Sequence, residues 1–303
     1  MSQKTKINPK QIGVILKPKT VTEYASLLPN LESWLKKRKI KLSFIESEAD
    51  RIHKIFNGKV SQINFLSDKE MQLENSLNVT LGGDGTLLGF GRHSLAKSAP
   101  ILGINMGNLG FITEYPKSEF FEALDIVIKN PVEIIKVPLF KASVSLKGKS
   151  IFENCFLNDA VINKNDISRM FSLKVECDGQ HVYQISGDGL IIGSPIGSTA
   201  YTLAAGGPII HPSVNALCLT PICPHALNHR PLVINDKSHL QIKIPSGTQS
   251  IQLTLDGQEF FEVPNRGEIE ISKCKSKYLK LIKNPDLQYF QTLKDKFTHG
   301  RRN

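Results

Sequence analysis

Cysteine, tryptophan and long apolar runs are all scarce in this 303-residue chain. The five cysteines, Cys155, Cys177, Cys218, Cys223 and Cys274, are odd in number and show no CxxC spacing. That excludes a disulfide framework and a structural zinc site of the usual pattern, and points to reduced thiols in the cytoplasm. No segment approaches the ~20 successive apolar residues that span a bilayer. The polar residues after Met1 do not form the apolar stretch of a secretory leader, so neither export nor membrane attachment is expected. His225 and His229 stand four apart, but no glutamate follows the first and Pro224 and Pro231 flank the pair. No metal site is assigned to them.

What is present suits a globular chain. A hydrophobic content of 40% over this length is enough to bury a core and fits two modest domains. Basic residues number 38 against 28 acidic, a net charge of +10, which favours anionic partners such as nucleic acid, anionic membrane or phosphorylated metabolites. The densest basic run, Lys36-Lys37-Arg38-Lys39, sits at the end of a predicted helix, where cations suit the macrodipole. No aromatic residues interleave with it, so nucleic acid is not expected there.

The first half alternates strand-like and helix-like segments. Ile12 to Leu16, Ile40 to Ile45, Asn78 to Leu81 and Ile101 to Ile104 read as strands. Val21 to Leu35, Leu87 to Leu95 and Phe120 to Ile128 read as helices, with a kink or break possible at Pro29. This pattern predicts an α/β domain, Rossmann-like, with a mainly parallel sheet. From Pro138 the character changes to short β-rich runs between turn signals such as Asp178-Gly179, which predicts an all-β domain. Tyr278 to Ile282 reads as a last strand returning to the first domain. The expected division is 1–137 plus 280–303 for the α/β domain and 138–279 for the all-β domain.

The most informative stretch is Thr80-Leu81-Gly82-Gly83-Asp84-Gly85-Thr86-Leu87-Leu88, a strand running into three glycines around one acid and then into a helix. Glycines Gly82, Gly83 and Gly85 let the backbone turn sharply and approach a ligand. Amides freed at a helix start favour phosphate. Thr86 is placed to cap the helix, and Asp84 to act on a hydroxyl as a general base or through a metal. The loop is neither a Walker A motif nor a GxGxxG fingerprint. A second glycine segment, Gly103 to Phe111, leaves the next strand, and ligands of open α/β sheets gather at such strand ends. Phe111 could pack on a base or on core.

These residues resemble the NAD kinase family. Gly82-Gly83-Asp84-Gly85 alone is shared with diacylglycerol, sphingosine and 6-phosphofructokinases. Asn105 to Phe111 narrows it, as do Leu157-Asn158-Asp159-Ala160-Val161, where many members have Glu for Asp159, and Gly187-Asp188-Gly189-Leu190. Ser194 to Tyr201, Gly206-Gly207-Pro208, His211-Pro212, Cys223-Pro224-His225 and Asp256-Gly257-Gln258 complete the set in order. The resemblance implies an N-terminal α/β domain, a C-terminal β-sandwich, transfer of phosphate from ATP or polyphosphate to the 2′-hydroxyl of the adenosine ribose of NAD, a divalent metal (usually magnesium), and a homodimer or homotetramer. It implies that Asp84 is catalytic and that Gly85 and Phe111 lie beside NAD. Asn158 and Asp159 would hold ribose hydroxyls or the adenine amino edge, and Asp188 would contact NAD. Thr199, Ala200 and Tyr201 would line the base pockets, and Asp256 and Gln258 would join the NAD site. A turn is the alternative for both Asp188-Gly189 and Asp256-Gly257.

Overall fold

The computed structural model describes residues 4–18, 22–60, 62–164, 172–226, 228–245 and 251–298. It divides into two compact units, Met1–Val137 with Tyr278–Asn303, and Pro138–Lys277.

In the first unit five strands pair in parallel, in the order Ile101–Asn105, Leu77–Gly82, Gln11–Leu16, Lys41–Ile45, Ile63–Leu66. Most of their residues are apolar, as strands covered on both faces require. The first of them in sequence lies in the middle of the order. The chain therefore departs to opposite sides from Gln11–Leu16 and Leu77–Gly82, and the crevice at their carboxyl ends is where such sheets bind ligands. Lys17, Gly83 and Met106 are the residues that follow three of these strands. Leu281, near the end of the strand Glu268–Ile282, pairs in parallel with Ile101.

The first helix spans Tyr24–Lys36 and buries Tyr24, Leu28, Leu31 and Leu35 along one face. Its predicted start at Val21 lies outside the described residues. Pro29 neither ends nor divides it. The carbonyl that loses its partner is that of Ala25, an exposed residue, so water can satisfy it while the buried leucines hold the helix. The helix after the glycine loop spans Asp84–Gly91 rather than the predicted Leu87 to Leu95. Gly83 is its N-cap, so Thr86 sits in the first turn instead of capping it. The shift has a physical cause: the acid itself begins the helix, where the macrodipole favours it.

The second unit is antiparallel. One sheet runs Leu232–Asn235, Ala216–Ile222, Gly189–Gly193, Asp159–Lys164, Ile251–Leu255, Glu259–Val263. Strands Gln180–Ser186, Ser172–Cys177 and Leu240–Lys243 form a second ladder that continues onto Glu268–Ile271. Ile162, Leu190 and Leu253 of the first set and Val175 and Ile269 of the second share one buried cluster, the packing of a sandwich, joined by Phe140 and Phe156 of the paired strands Pro131–Leu146 and Lys149–Phe156. Asp178 and Gly179 both have positive φ, +51° and +79°, and Cys177 pairs with Gln180 across them. That is the two-residue hairpin turn expected of an Asp-Gly pair.

Candidate functional site

Each unit contains a polar cleft. In the first unit a cleft of about 330 Å³ is lined by Gly82, Gly83, Asp84, Asn105, Gly107, Lys17 and Lys296, among others. Gly83 enters the helix with extended backbone, φ −109° and ψ −169°. A Cβ on Gly82 would run into the Thr86 hydroxyl, which packs against it, so Thr86 shapes the loop by filling the space that glycine leaves.

Asp84 is held by the second glycine segment. Its Oδ2 accepts from the Phe111 N–H at 2.8 Å. Its Oδ1 accepts from the Thr113 N–H at 2.9 Å, the Thr113 hydroxyl at 2.7 Å and the Ile112 N–H at 3.3 Å. The Thr113 hydroxyl accepts in turn from Asn105 Nδ2 at 2.8 Å, and Asn105 Oδ1 accepts from the Gly107 N–H at 2.8 Å. A Cβ at Gly110 would collide with both the Asp84 carboxylate and the Thr113 hydroxyl. Glycine at 110 is what lets the loop close on the acid. The result is one carboxylate, fixed in direction by charge-assisted bonds, at the mouth of a helix.

In the second unit a pocket of about 640 Å³ is lined by Asn158, Asp159, Lys164, Asp188, Ala200, Tyr201, Thr254 and Asp256, with Asn163 and Gln252. Asp159 begins a strand and is only 4% exposed. Burial, and then the neighbouring Asp256 carboxylate, push its pKa up to about 7. The Asp256 carboxylate accepts from the N–H groups of Leu157 at 3.1 Å, Asn158 at 2.7 Å and Asp159 at 3.3 Å. Its own N–H donates to the Asp159 carbonyl at 2.9 Å. Asp256 and Gly257 have φ of +51° and +65°, and the Gln258 N–H closes the turn on the Leu255 carbonyl at 3.0 Å. Asp256 is therefore both a turn residue and the clamp on the Asn158–Asp159 corner. The Asn158 carbonyl accepts from the Ser194 N–H at 2.7 Å. A Cβ on Gly197 would strike that same carbonyl, so the Ile196–Thr199 turn packs closely on the corner. The side chains of Asn158 and Asp159 have no hydrogen bond to the described residues and face the pocket. Asp188 pairs with Lys164 at 2.7 Å, which lowers its pKa.

Not every predicted site residue lines a cleft. Gly85 is exposed in the first helical turn. Phe111 is half-buried, with its N–H on Asp84 and the Lys296 ammonium 4.9 Å from its ring centroid. Thr199 donates its hydroxyl to the Ile196 carbonyl at 3.3 Å. Gln258 is exposed on the turn beyond Asp256. The sequence motifs contain Asn105 but do not single out Lys17, Thr113 or Lys296 around the first cleft, or Asn163, Lys164, Gln252 and Thr254 around the second. A usable signal existed for Lys17, which directly follows a strand end, and for Gln252 and Thr254, which share a strand face by their spacing of two. None existed for Lys296, which is remote in sequence from the glycine loop. Among the described residues no group of three or more His, Cys, Asp and Glu could hold a metal ion, and no helix is long and apolar enough to cross a membrane.

Residues 12–132 match the ATP-NAD kinase N-terminal domain, and residues 157–284 the ATP-NAD kinase C-terminal domain. The NAD kinase of Solibacter usitatus is 37% identical over 295 residues, 97% of this chain and 99% of its own. That of Geotalea daltonii is 40% identical over 226 residues, 75% of this chain and 79% of its own. Yeast NADH kinase, solved complexed with NADH, superposes with a TM-score of 0.84 at 23% identity, over 99% of this chain and 90% of the yeast chain. An NAD kinase from Archaeoglobus fulgidus, solved in complex with ATP, superposes with a TM-score of 0.71 at 24% identity, over 95% and 98%. At such identities the structural likeness speaks for the fold; the two domain matches and the near full-length relatives show that this chain belongs to the NAD kinase family.

Proposed function

We propose that the chain transfers the terminal phosphoryl group of ATP to the 2′-hydroxyl of the adenosine ribose of NAD, with Asp84 as the residue that receives or directs the hydroxyl proton. The observation that carries this reading is the single carboxylate of the glycine-acid cleft, fixed by four donors from one loop. Phosphoryl transfer asks chiefly for positioning and for stabilisation of charge on the transferring group. The glycine amides of Gly82 and Gly83 at a helix start supply such stabilisation. The pocket of the second unit supplies acceptors for an adenosine: the Asn158 amide and the Asp159 carboxylate can accept from ribose hydroxyls or an adenine amino group. That structural relatives were solved with NADH and with ATP supports the two nucleotide classes.

A divalent metal, magnesium above all, fits one carboxylate rather than a cage. Magnesium in kinases is typically held by one or two carboxylates plus substrate phosphates, and Asp84 is the carboxylate available in this cleft. When bound with the donor, the metal would neutralise charge on its phosphates. A homodimer or homotetramer in the cytoplasm completes the reading, supported by the exposed apolar residues Val214, Val233 and Phe260 of the second unit. Light scattering of the purified chain tests the assembly. NADP formation from NAD, ATP and magnesium, followed with an NADP-specific dehydrogenase, tests the activity; no NADP from a folded chain that binds NAD would overturn it.

A further inference from the structure

We propose that Lys296, from the last described helix, Tyr289–Thr298, and Lys17, directly after the strand Gln11–Leu16, form the cationic wall that binds the polyphosphate of the donor in the glycine-acid cleft. This rests on the kinase reading of that cleft and extends it to residues outside the glycine loop.

Three observations converge. First, Lys17, Asp84 and Lys296 are the charged side chains that line the cleft among the described residues. With Asp84 alone the site would repel a triphosphate; with both lysines the balance becomes positive. Second, neither lysine is in an ion pair among the described residues, although Lys117, Lys129, Lys141, Lys164 and Lys283 all are. An unpaired ammonium beside helix-start amides is ready for an anion. Third, the last helix is fastened to the same loop that holds Asp84. The Lys296 ammonium stands over the Phe111 ring, 4.9 Å from its centroid, within cation–π range, while the Phe111 N–H binds Asp84 at 2.8 Å.

Just upstream of that helix the anchoring is buried. Glu114, 3% exposed, pairs with the Lys283 ammonium and accepts from the Asn284 N–H at 2.8 Å. The Tyr115 hydroxyl donates to the Lys283 carbonyl at 3.0 Å. The segment from Phe111 to Tyr115 thus ties the acid on one side and the Lys296 helix on the other. The charge that meets the donor is set in register with the group that meets the acceptor.

The test compares Lys296→Met, which keeps the aliphatic stem on Phe111 but removes the charge, with Lys296→Arg, Lys17→Met and the wild type. Titration of inorganic tripolyphosphate by calorimetry is read beside steady-state kinetics, with thermal melts to confirm folding. Loss of one charge-assisted contact predicts roughly 10- to 100-fold weaker tripolyphosphate binding for each Met variant. It predicts a matching rise in KM for ATP, an unchanged KM for NAD, and substantial rescue in Lys296→Arg. Unchanged tripolyphosphate affinity in folded Met variants, or an equal rise in both KM values, overturns the proposal. Because the titration needs no turnover, wild type that binds tripolyphosphate through the lysines yet forms no NADP would sink the kinase reading and leave the anion site standing.

Discussion

Thr113 binds Asp84 twice, through its N–H at 2.9 Å and its hydroxyl at 2.7 Å to the same carboxylate oxygen. An acid in a glycine loop is usually considered for the proton it takes. Here it also closes the loop, since Phe111 N–H occupies the other oxygen. The proposed catalytic role and the scaffolding role thus fall on one side chain. An amide at position 84 would turn an NH2 group toward these donors. Asp84→Asn is expected to lower kcat by on the order of 10²–10⁴ and to cost about 1–3 kcal/mol of stability through mismatched donors. Thermal melts beside initial rates separate the two effects. Retained turnover would remove Asp84 from the chemistry; an unchanged Tm would remove it from the scaffold.

Gly110 shows how little room the acid has. Any Cβ there meets Asp84 and Thr113, so Gly110→Ala must push the carboxylate aside or open the loop. Expected is a fall in kcat of about 10²-fold from displacement alone, without loss of NAD binding measured by calorimetry. Wild-type kcat in Gly110→Ala would mean that the Asp84 position does not matter.

The Asn158–Asp159 corner predicts a pH dependence. Burial raises the Asp159 pKa to about 7, above its value near 4 in an unfolded chain. Between these values the folded state holds the extra proton, so this group's contribution to stability falls as pH rises from about 4 to about 7 and is then level. Asp159→Asn is therefore expected to raise Tm more at pH 8 than at pH 5, by an amount worth about 1–4 kcal/mol at most. If the ionised carboxylate receives the acceptor, kcat/KM for NAD rises through pH 7 in the wild type and loses that step in Asp159→Asn. A Tm gain that is equal at both pH values would show that Asp159 is not the buried acid described.

Asp256 makes a linked prediction. It is the second cause of the raised Asp159 pKa and the clamp on the Leu157, Asn158 and Asp159 amides. Asp256→Asn tolerates the positive φ but removes the charge. The midpoint of the kcat/KM profile is expected to move to lower pH, and KM for NAD to rise about tenfold as the corner loosens. An unmoved midpoint would show that the two carboxylates do not sense each other.

Much of this was legible in the sequence because each feature had a local cause. The strand-like runs Ile12 to Leu16 and Asn78 to Leu81 mark the strands Gln11–Leu16 and Leu77–Gly82, and Asp178-Gly179 marks a hairpin. The glycine-acid loop marks a helix start, although the apolar pattern places the first turn three residues late because Asp84 opens the helix. Pro29 suggests a kink or break, but tertiary burial of Leu28, Leu31 and Leu35 outweighs one lost hydrogen bond. The partners of the site were harder to see. Thr113, Asp256 and Lys296 gain their roles from long-range closure: Asp256 reaches the backbone at Asn158 across the sheet, and Lys296 reaches Phe111 from the far end of the chain. No spacing rule encodes such contacts. A turn is one reading of Asp256, and the residue does turn the chain, but it also clamps the Asn158–Asp159 corner and lines the pocket.

The most direct test of the account is NADP formation from NAD, ATP and magnesium by the wild-type chain and Asp84→Asn, each first shown by calorimetry to bind NAD. Turnover by the wild type and a loss of on the order of 10²–10⁴ in the variant at retained NAD affinity are expected. Equal turnover by both proteins would contradict it, because phosphoryl transfer would then proceed without the one carboxylate that the glycine-acid cleft holds in place.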